Sequence, residues 1–219
     1  MEDTGLLAES ELFADLEAGE RERIMAAAHT VHLNRNQILF DQGDPAEALY
    51  AVLTGRVAMI LQSPDGRESL LALMETGDLF GDMPLFDGEP RSAQARALEP
   101  SDLLYVPYPP IRAVLEERPA LLWTMVATLS RRLRSTDAAL ADSMFLDVTG
   151  RTAKRLLELA GDADTFALPI TQEELAALVG ASRERVNKAI SAFIRLGWLD
   201  QVERRYRIAD RIQLARRAR

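Results

Sequence analysis

Between residues 31 and 107 the chain never stays apolar for long. The runs "QILFD", "ALYAVL", "RVAMILQ", "ESLLALM" and "DLLYVPY" are separated by "QGDPAE", "TG", "SPDG" and "ETGD" in the first four gaps. Runs this short are strand length rather than helix length, and Gly, Pro and Asp between them supply turns. The pattern predicts a small antiparallel sandwich or barrel. Gly43, Gly55, Gly66 and Gly77 fall at the turns, where a positive φ is expected. Ahead of this region, residues 7–28 read as short helices whose apolar contacts are Leu12, Phe13, Leu16, Ile24 and Met25.

After Pro109-Pro110 the periodicity changes. Leu122, Val126, Leu129, Leu133, Thr136, Leu140 and Ser143 are spaced alternately by four and three residues, the a/d seam of a heptad repeat. A long helix with such a seam beside a small barrel needs a cover, and a second copy of the chain supplies it most simply. "LDVTGRTAKRLLELAGDAD" follows; Gly150 is expected to interrupt the helix and serve as a hinge, with a new amphipathic helix running to about Leu159. The domain boundary is expected near Asp147.

The segment "PITQEELAALVGASRERVNKAISAFIRLGWL" carries two helix starts. Thr171 with Glu174 is a capping box, and Leu175, Leu178 and Val179 give that helix an apolar face. Gly180 ends it, and Ser182 caps a second helix with Val186, Ile190 and Phe193 on its inner side. Two short helices around a tight turn form a helix-turn-helix. The exposed start of the second helix presents Arg183, Glu184, Asn187 and Lys188, where the usual docking geometry meets base edges in the major groove. Arg and Lys can donate to guanine, and Glu can accept from the cytosine amino group. Thr171, Gln172 and Ser182 join them as expected DNA contacts. "WLDQVERRYRIAD" reads as two short strands making a wing, with Arg204, Arg205 and Arg207 along a phosphate backbone. The closing "RIQLARRAR" reads as a basic, solvated tail, helical or frayed.

Charge supports this division. Residues 1–150 hold 12 basic and 25 acidic residues, net −13, whereas residues 151–219 hold 14 and 9, net +5, within a whole-chain charge of −8. An acidic body with a basic last third makes the latter the candidate for phosphate contact. There are no cysteines, which excludes disulfides, thiolate zinc sites and cysteine-ligated iron–sulfur clusters. No apolar run approaches the roughly 20 residues of a membrane helix, and "MEDTGLLAES" is not a secretion signal, so a soluble cytoplasmic protein is expected. His29 and His32 read as surface or packing residues. With no metal-ligand cluster and no Ser/His/Asp constellation, no enzyme is expected.

The loop "GDMPLFDGEPRSAQA", residues 81–95, suits a buried anion. Gly81 lets the backbone come close, Arg91 can fork two oxygens, and Ser92 adds a hydroxyl and an N–H. Asp82 cannot favour a phosphate, so it is expected to accept from a ribose hydroxyl. Pairing of Arg91 with Asp87 or Glu89 would explain the same residues.

Taken together, "LFDQGDPAEALYAVLTGRV", "SPDGRESLLALMETGDLFGDMPLF", "PRSAQARA", "SRRLRSTDAAL", "FLDVTGR" and "ITQEELAALVGASRERVNKAI" resemble the Crp/Fnr family of bacterial regulators, and within it the cyclic-AMP receptor proteins, over about residues 30 to 215. The resemblance implies an α+β chain: a jelly-roll-like cyclic-nucleotide-binding β-barrel with N-terminal helices over residues 1–117, a dimerisation helix over 118–146 and a winged helix-turn-helix over 147–219. It implies that Gly81, Arg91 and Ser92 hold the cyclic phosphate and Asp82 the ribose. It also implies that Thr136, with Asp137 beside it, reaches the adenine across a homodimer. It further implies cAMP as ligand, double-stranded DNA with a palindromic GTG/CAC-type site matched by Arg183, Glu184 and Lys188, and RNA polymerase as a partner; no metal, haem or iron–sulfur cluster is expected, a haem sensor of the same fold being the rival that an absorption spectrum decides. "LAGDADTFALPIT" is shorter than the corresponding polymerase-contacting segment, and that role is not carried over.

Three positions depart from the family pattern. Asp82 is one methylene shorter than the usual Glu. Asp137 stands where many members have Ser or Asn; it accepts from an adenine amino group and disfavours cyclic GMP in the same pose. Lys188 replaces an Arg and loses its bidentate fork. A regulator that is ligand-independent, or that answers another nucleotide such as a cyclic dinucleotide, therefore stays open. So does a nucleotide-sensing interaction module without DNA binding.

Overall fold

A computed structural model describes residues 13, 15–63, 65–66, 68–168, 170–202 and 205–219. Leu12 and Arg204, named above, lie outside the described residues. The chain forms two compact units, residues 1–133 and 134–219.

The first unit runs α1 (Ala18–Met25), β1 (His29–Leu33), β2 (Ile38–Phe40), β3 (Ala48–Thr54), β4 (Val57–Gln62), β5 (Glu68–Met74), β6 (Leu79–Phe80), α2 (Met83–Asp87), β7 (Gln94–Ala97), β8 (Ser101–Pro107), α3 (Tyr108–Glu117), a 3-10 turn (Pro119–Leu121) and the start of α4 (Leu122–Phe145). Its strands make two four-stranded antiparallel sheets, ordered β1-β8-β3-β6 and β2-β7-β4-β5. This is a jelly-roll-like sandwich rather than one closed sheet. Each of the five apolar runs picked out above contains a strand.

Strand β3 shows why its sequence is almost wholly apolar. Side chains alternate between faces of a strand. Tyr50 and Val52 enter the core between the sheets with Phe40, Val57, Phe80 and Leu103. Leu49, Ala51 and Leu53 enter a second core with Phe13 and with Ile24, Ile111, Val114 and Met125 from the helices. With both faces covered, polar alternation disappears. Gly43, Gly55, Gly66 and Gly77 take φ of 80 to 94° as the turns require. At Gly55 the need is also steric, since a Cβ would lie 2.6 Å from the Pro100 carbonyl oxygen. His29 stacks on Tyr105 with ring centroids 4.5 Å apart, and His32 pairs with Asp102, in keeping with packing and surface roles.

The second unit continues α4 into α5 (Val148–Ala160), β9 (Thr165–Ala167), α6 (Gln172–Val179), α7 (Arg183–Arg195), β10 (Leu199–Val202), β11 (Arg205–Ile208) and α8 (Arg211–Arg217). A three-stranded sheet ordered β10-β11-β9 sits beside the helices. Its core joins Leu156 of α5, Leu175 and Val179 of α6, Val186, Ile190 and Phe193 of α7, and Leu199, Tyr206 and Leu214, all buried.

Two expectations are corrected in this unit. Gly150 does not interrupt the helix: α4 ends at Phe145, Asp147 is the extended N-cap of α5, and Gly150 sits buried in the first turn. The last residues are not a solvated tail, because α8 buries Leu214 completely and its Arg211 donates to the carbonyls of Gly161 and Ala163 at 2.8 Å each. One buried apolar position, Leu214, beside an exposed Ile212 in a strongly basic stretch gives too weak a periodicity to reveal that docking face.

Candidate nucleotide and DNA sites

Gly81 and Asp82 lead into α2, whose five residues end where Gly88 turns left-handed at φ 72° and donates its N–H to the Pro84 carbonyl. The chain then passes Glu89 and Pro90 to reach Arg91. The loop after β2 fixes that position: the Gly43 N–H donates to the Arg91 carbonyl and the Arg91 N–H donates to the Asp44 carbonyl, both at 2.9 Å.

The Arg91 side chain is buried, with the residue 5% exposed. Its guanidinium carbon lies 4.1 Å from the centroid of the Phe40 ring and 5.6 Å from that of Tyr50. Nη2 donates to the Ala48 carbonyl at 2.7 Å, and Nη1 to the Gly81 carbonyl at 3.0 Å and the Tyr108 hydroxyl at 3.3 Å. Nε is buried without a partner. Among the described residues no carboxylate pairs with Arg91, so Asp87 and Glu89 are not its counter-ions. The Asp87 carboxylate instead accepts the Glu89 N–H. Burying an unpaired cation costs several kcal/mol, which dipoles and ring faces offset only in part. Arg91 is therefore a candidate anion ligand. Gly81, at φ 77°, lies so close that a Cβ there would sit 2.5 Å from Arg91 Nη1. The orphaned Nε and the glycine cradle both fit a cyclic phosphate.

Asp82 is 3% exposed and pairs with Arg132 on α4, whose Nη1 lies 2.8 and 2.9 Å from the two carboxylate oxygens. Arg132 Nη2 also donates to the Leu79 carbonyl at 3.1 Å. The sequence reading missed Arg132, although a signal was present. It stands four residues before Thr136, on the same helix face. Tyr108 was also missed. Its hydroxyl donates to the Gly81 carbonyl and accepts from Arg91, links between residues 27 and 17 apart that no local pattern encodes. Burial pushes its phenol pKa up, with the Arg91 charge pulling the other way.

Ser92 is exposed, with its hydroxyl 3.8 Å from the Met83 sulfur. Thr136 and Asp137 lie exposed on α4 in the second unit. Thus Gly81, Asp82 and Arg91 converge with Arg132 and Tyr108 in the first unit. Among the described residues no group of three or more His, Cys, Asp and Glu is placed to hold a metal ion.

The helix-turn-helix forms as its local signals require. The Thr171 N–H donates to Glu174 at 2.6 Å and the Glu174 N–H returns to the Thr171 hydroxyl at 3.2 Å, closing the capping box. Gly180 is left-handed at φ 67°, and the Ser182 hydroxyl accepts from Arg185 N. Arg151 of α5 braces the turn, its Nε donating to the Val179 carbonyl at 2.9 Å. Beyond Ser182 the face of α7 exposes Arg183, Glu184, Arg185 and Lys188, none with an ion-pair partner among the described residues. Asn187 is half-buried and its Oδ1 has no partner. Thr171 is exposed and Gln172 half-exposed at the start of α6. On the wing, Arg205 is exposed while Arg207 is paired with Asp200 across β10 and β11. That pairing weakens the expected phosphate role of Arg207.

Comparison with known proteins matches both domains in which these candidate sites lie. Residues 30–118 match the cyclic nucleotide-binding domain and residues 150–217 the Crp-like helix-turn-helix domain. The chain is 37% identical, over 98% of its length and 99% of the relative's, to a CRP-like cAMP-activated global transcriptional regulator of Mycobacterium tuberculosis. It is 35% identical to the cAMP-activated global transcriptional regulator CRP of Escherichia coli, over 69% of this chain and 76% of that protein. Among solved structures it resembles the c-di-GMP responsive global regulator CLP of Xanthomonas campestris, at 28% identity and a TM-score of 0.73, covering 88% of this chain and 99% of that one. With both domains matched in order and a full-length relative at this identity, the chain belongs to the Crp/Fnr family, whose members are transcription regulators and not enzymes.

Proposed function

We propose that the protein is a homodimeric, sequence-specific DNA-binding regulator gated by a cyclic nucleotide, with cAMP the first candidate. The observation that carries this reading is the buried Arg91 guanidinium, which has an orphaned Nε and no carboxylate partner among the described residues. A cyclic nucleotide supplies the missing negative charge and a ribose hydroxyl. Arg91 and Gly81 receive the phosphate, with Ser92 at its edge. Asp82 accepts from the hydroxyl while still held by Arg132, since a carboxylate offers about four acceptor positions. Because Arg132 belongs to α4, occupancy of the Gly81–Asp82 turn bears directly on that helix. Thr136 and Asp137 extend the contact to the adenine from a partner chain.

The seam of α4 supports the dimer. Leu122, Val126, Leu133 and Leu140 are exposed in the single chain, Leu133 by 62% and Leu140 by 59%. Single exposed leucines are ordinary, but a heptad row of them is what a second helix covers. Two recognition helices then read half-sites of GTG/CAC type about one helical turn apart. Thr171, Gln172, Ser182, Arg183, Glu184, Asn187 and Lys188 make the contacts, acting in the cytoplasm with RNA polymerase as a further partner. No helix among the described residues is long and apolar enough to cross a membrane.

A second reading, gating by a cyclic dinucleotide, draws on the short Asp82 already engaged by Arg132 and on the similarity to CLP. Fluorescence anisotropy with a GTG/CAC palindromic duplex tests the proposal. Binding at two chains per duplex that tightens with cAMP supports it. Tightening with cyclic di-GMP alone favours the second reading, and no binding under any condition removes the DNA-binding claim.

A further inference from the structure

The break between α4 and α5 is held from the far end of the unit. Asp147 is extended there, at φ −71° and ψ 173°, and its carboxylate accepts the Gly150 N–H at 2.8 Å. One guanidinium nitrogen of Arg217, on α8, donates to both oxygens of that same carboxylate. Arg217 is delivered to this point by the rest of α8. Asp210 caps the helix by accepting the Gln213 N–H at 3.0 Å, Leu214 is fully buried, and Arg211 donates to the carbonyls of Gly161 and Ala163 just beyond the other end of α5. The short α8 is thus tied to α5 at both ends.

Gly150 acquires a purpose in this arrangement that differs from a hinge. A Cβ on it would lie 3.1 Å from both Nη1 and the carbonyl oxygen of Arg217, and 3.3 Å from Leu146 Cβ. Its missing side chain lets α8 come close enough for Arg217 to reach Asp147. A second tie runs from Arg151, whose Nη1 donates to the Leu146 carbonyl at 2.7 Å. Lys154 of α5 also pairs with Asp142 of α4.

We propose that Arg217 is a positioning residue for DNA binding: acting through Asp147, it fixes the direction in which α5, and with it the helix-turn-helix, leaves α4. The proposal rests on the reading that two chains share one palindromic duplex. A half-site needs one recognition helix and is indifferent to that direction. A full site needs two helices at a set separation, so it selects chains whose break is held. The Arg217 side chain is 33% exposed and that of Asp147 63%, so the pair is a surface one. An exposed pair shifts a local equilibrium by up to about fivefold. Two breaks per dimer compound the effect. Arg151 and the buried Leu214 keep the fold intact when Arg217 is changed.

The test uses the full chain with Arg217→Ala and Arg217→Lys. Anisotropy is measured on a GTG/CAC palindromic duplex and on a duplex carrying one half-site, and hydrogen exchange is followed at the Gly150 amide. The expected result for Arg217→Ala is a loss of about three- to tenfold on the palindrome, no change on the half-site, and Gly150 exchange faster by about two- to fivefold. Arg217→Lys, which keeps the charge, falls between. Unchanged palindrome binding and unchanged exchange overturn the proposal. So does an equal loss on both duplexes with a lower thermal midpoint, which marks a merely structural role. If the wild-type chain binds neither duplex, the DNA reading fails by itself; Gly150 exchange then decides alone, and an unchanged rate overturns the tie.

Discussion

The carboxylate of Asp82 and the guanidinium of Arg132 meet at 2.8 and 2.9 Å, joining the turn before α2 to the long helix α4. Asp82 is almost wholly buried while the Arg132 side chain is 46% exposed. The carboxylate thus depends on this partner more than the guanidinium depends on it. Arg132→Met strands the carboxylate and is expected to destabilise the first unit by about 1–2 kcal/mol, below the cost of breaking a fully buried pair because water reaches one side. The double variant Asp82→Ala/Arg132→Met recovers part of that loss. Urea unfolding of the four proteins of the cycle measures the coupling, and additive single effects would show that the pair is energetically idle.

Gly81→Ala is expected to damage the candidate anion site with little change in overall fold. The residue is at φ 77°, and the new methyl group would fall 2.5 Å from Arg91 Nη1. The guanidinium must swing away from the Gly81 and Ala48 carbonyls. A stability loss of about 1–2 kcal/mol follows from the left-handed backbone alone, and cyclic-nucleotide affinity falls at least about tenfold, as one displaced charge-assisted contact implies. Circular dichroism and calorimetry on the same sample separate the two effects.

The local signals of the second unit were plain in the sequence. Thr171 with Glu174, Gly180 and Ser182 each act within four residues, so their chemistry alone specifies cap and turn. The strands of the first unit were legible because their apolar runs are short and punctuated. Arg91 stood out in the sequence as a candidate anion ligand, but the partners that define its setting did not. Tyr108 and Arg132 reach the Gly81–Arg91 loop only once the sheets have folded. For the same reason α8 was misread: Leu214, Arg211 and Arg217 find their partners up to 70 residues away. The break at Asp147 was assigned to Gly150 because glycine is a poor helix former, and the close approach of Arg217 that calls for it shows only in the fold.

Arg183→Ala is expected to weaken binding to the palindromic duplex by about 1–3 kcal/mol and to relax preference at one base position. Arg205→Ala should instead weaken binding to all sequences alike and reduce the salt slope by about 1, as loss of a phosphate contact does. Anisotropy over a salt series distinguishes them. Arg207→Ala, whose side chain is already paired with Asp200, should change the slope less than Arg205→Ala.

Acid should loosen the first unit through two surface carboxylates. Hydrogen bonds from Arg96 hold Glu68 below the ordinary 4.5, and hydrogen bonds from Arg56 do the same for Glu99. A depressed folded pKa means that the unfolded chain binds more protons. The contribution is therefore complete above about pH 4.5 and is lost as pH falls through the folded values. Urea midpoints should be level from neutrality down to that point and decline below it. Arg56→Met and Arg96→Met should flatten the decline, by a modest amount because both pairs are partly exposed.

The most direct measurement is a calorimetric titration of the purified chain with cAMP, beside Arg91→Met. Arg91 has an orphaned Nε and no carboxylate partner among the described residues, so the wild-type chain should bind saturably. Arg91→Met should lose binding by about tenfold or more while its unfolding midpoint holds or rises, because an uncompensated buried charge has been removed. Saturable binding undiminished in Arg91→Met would contradict the assignment of this loop as the anion site.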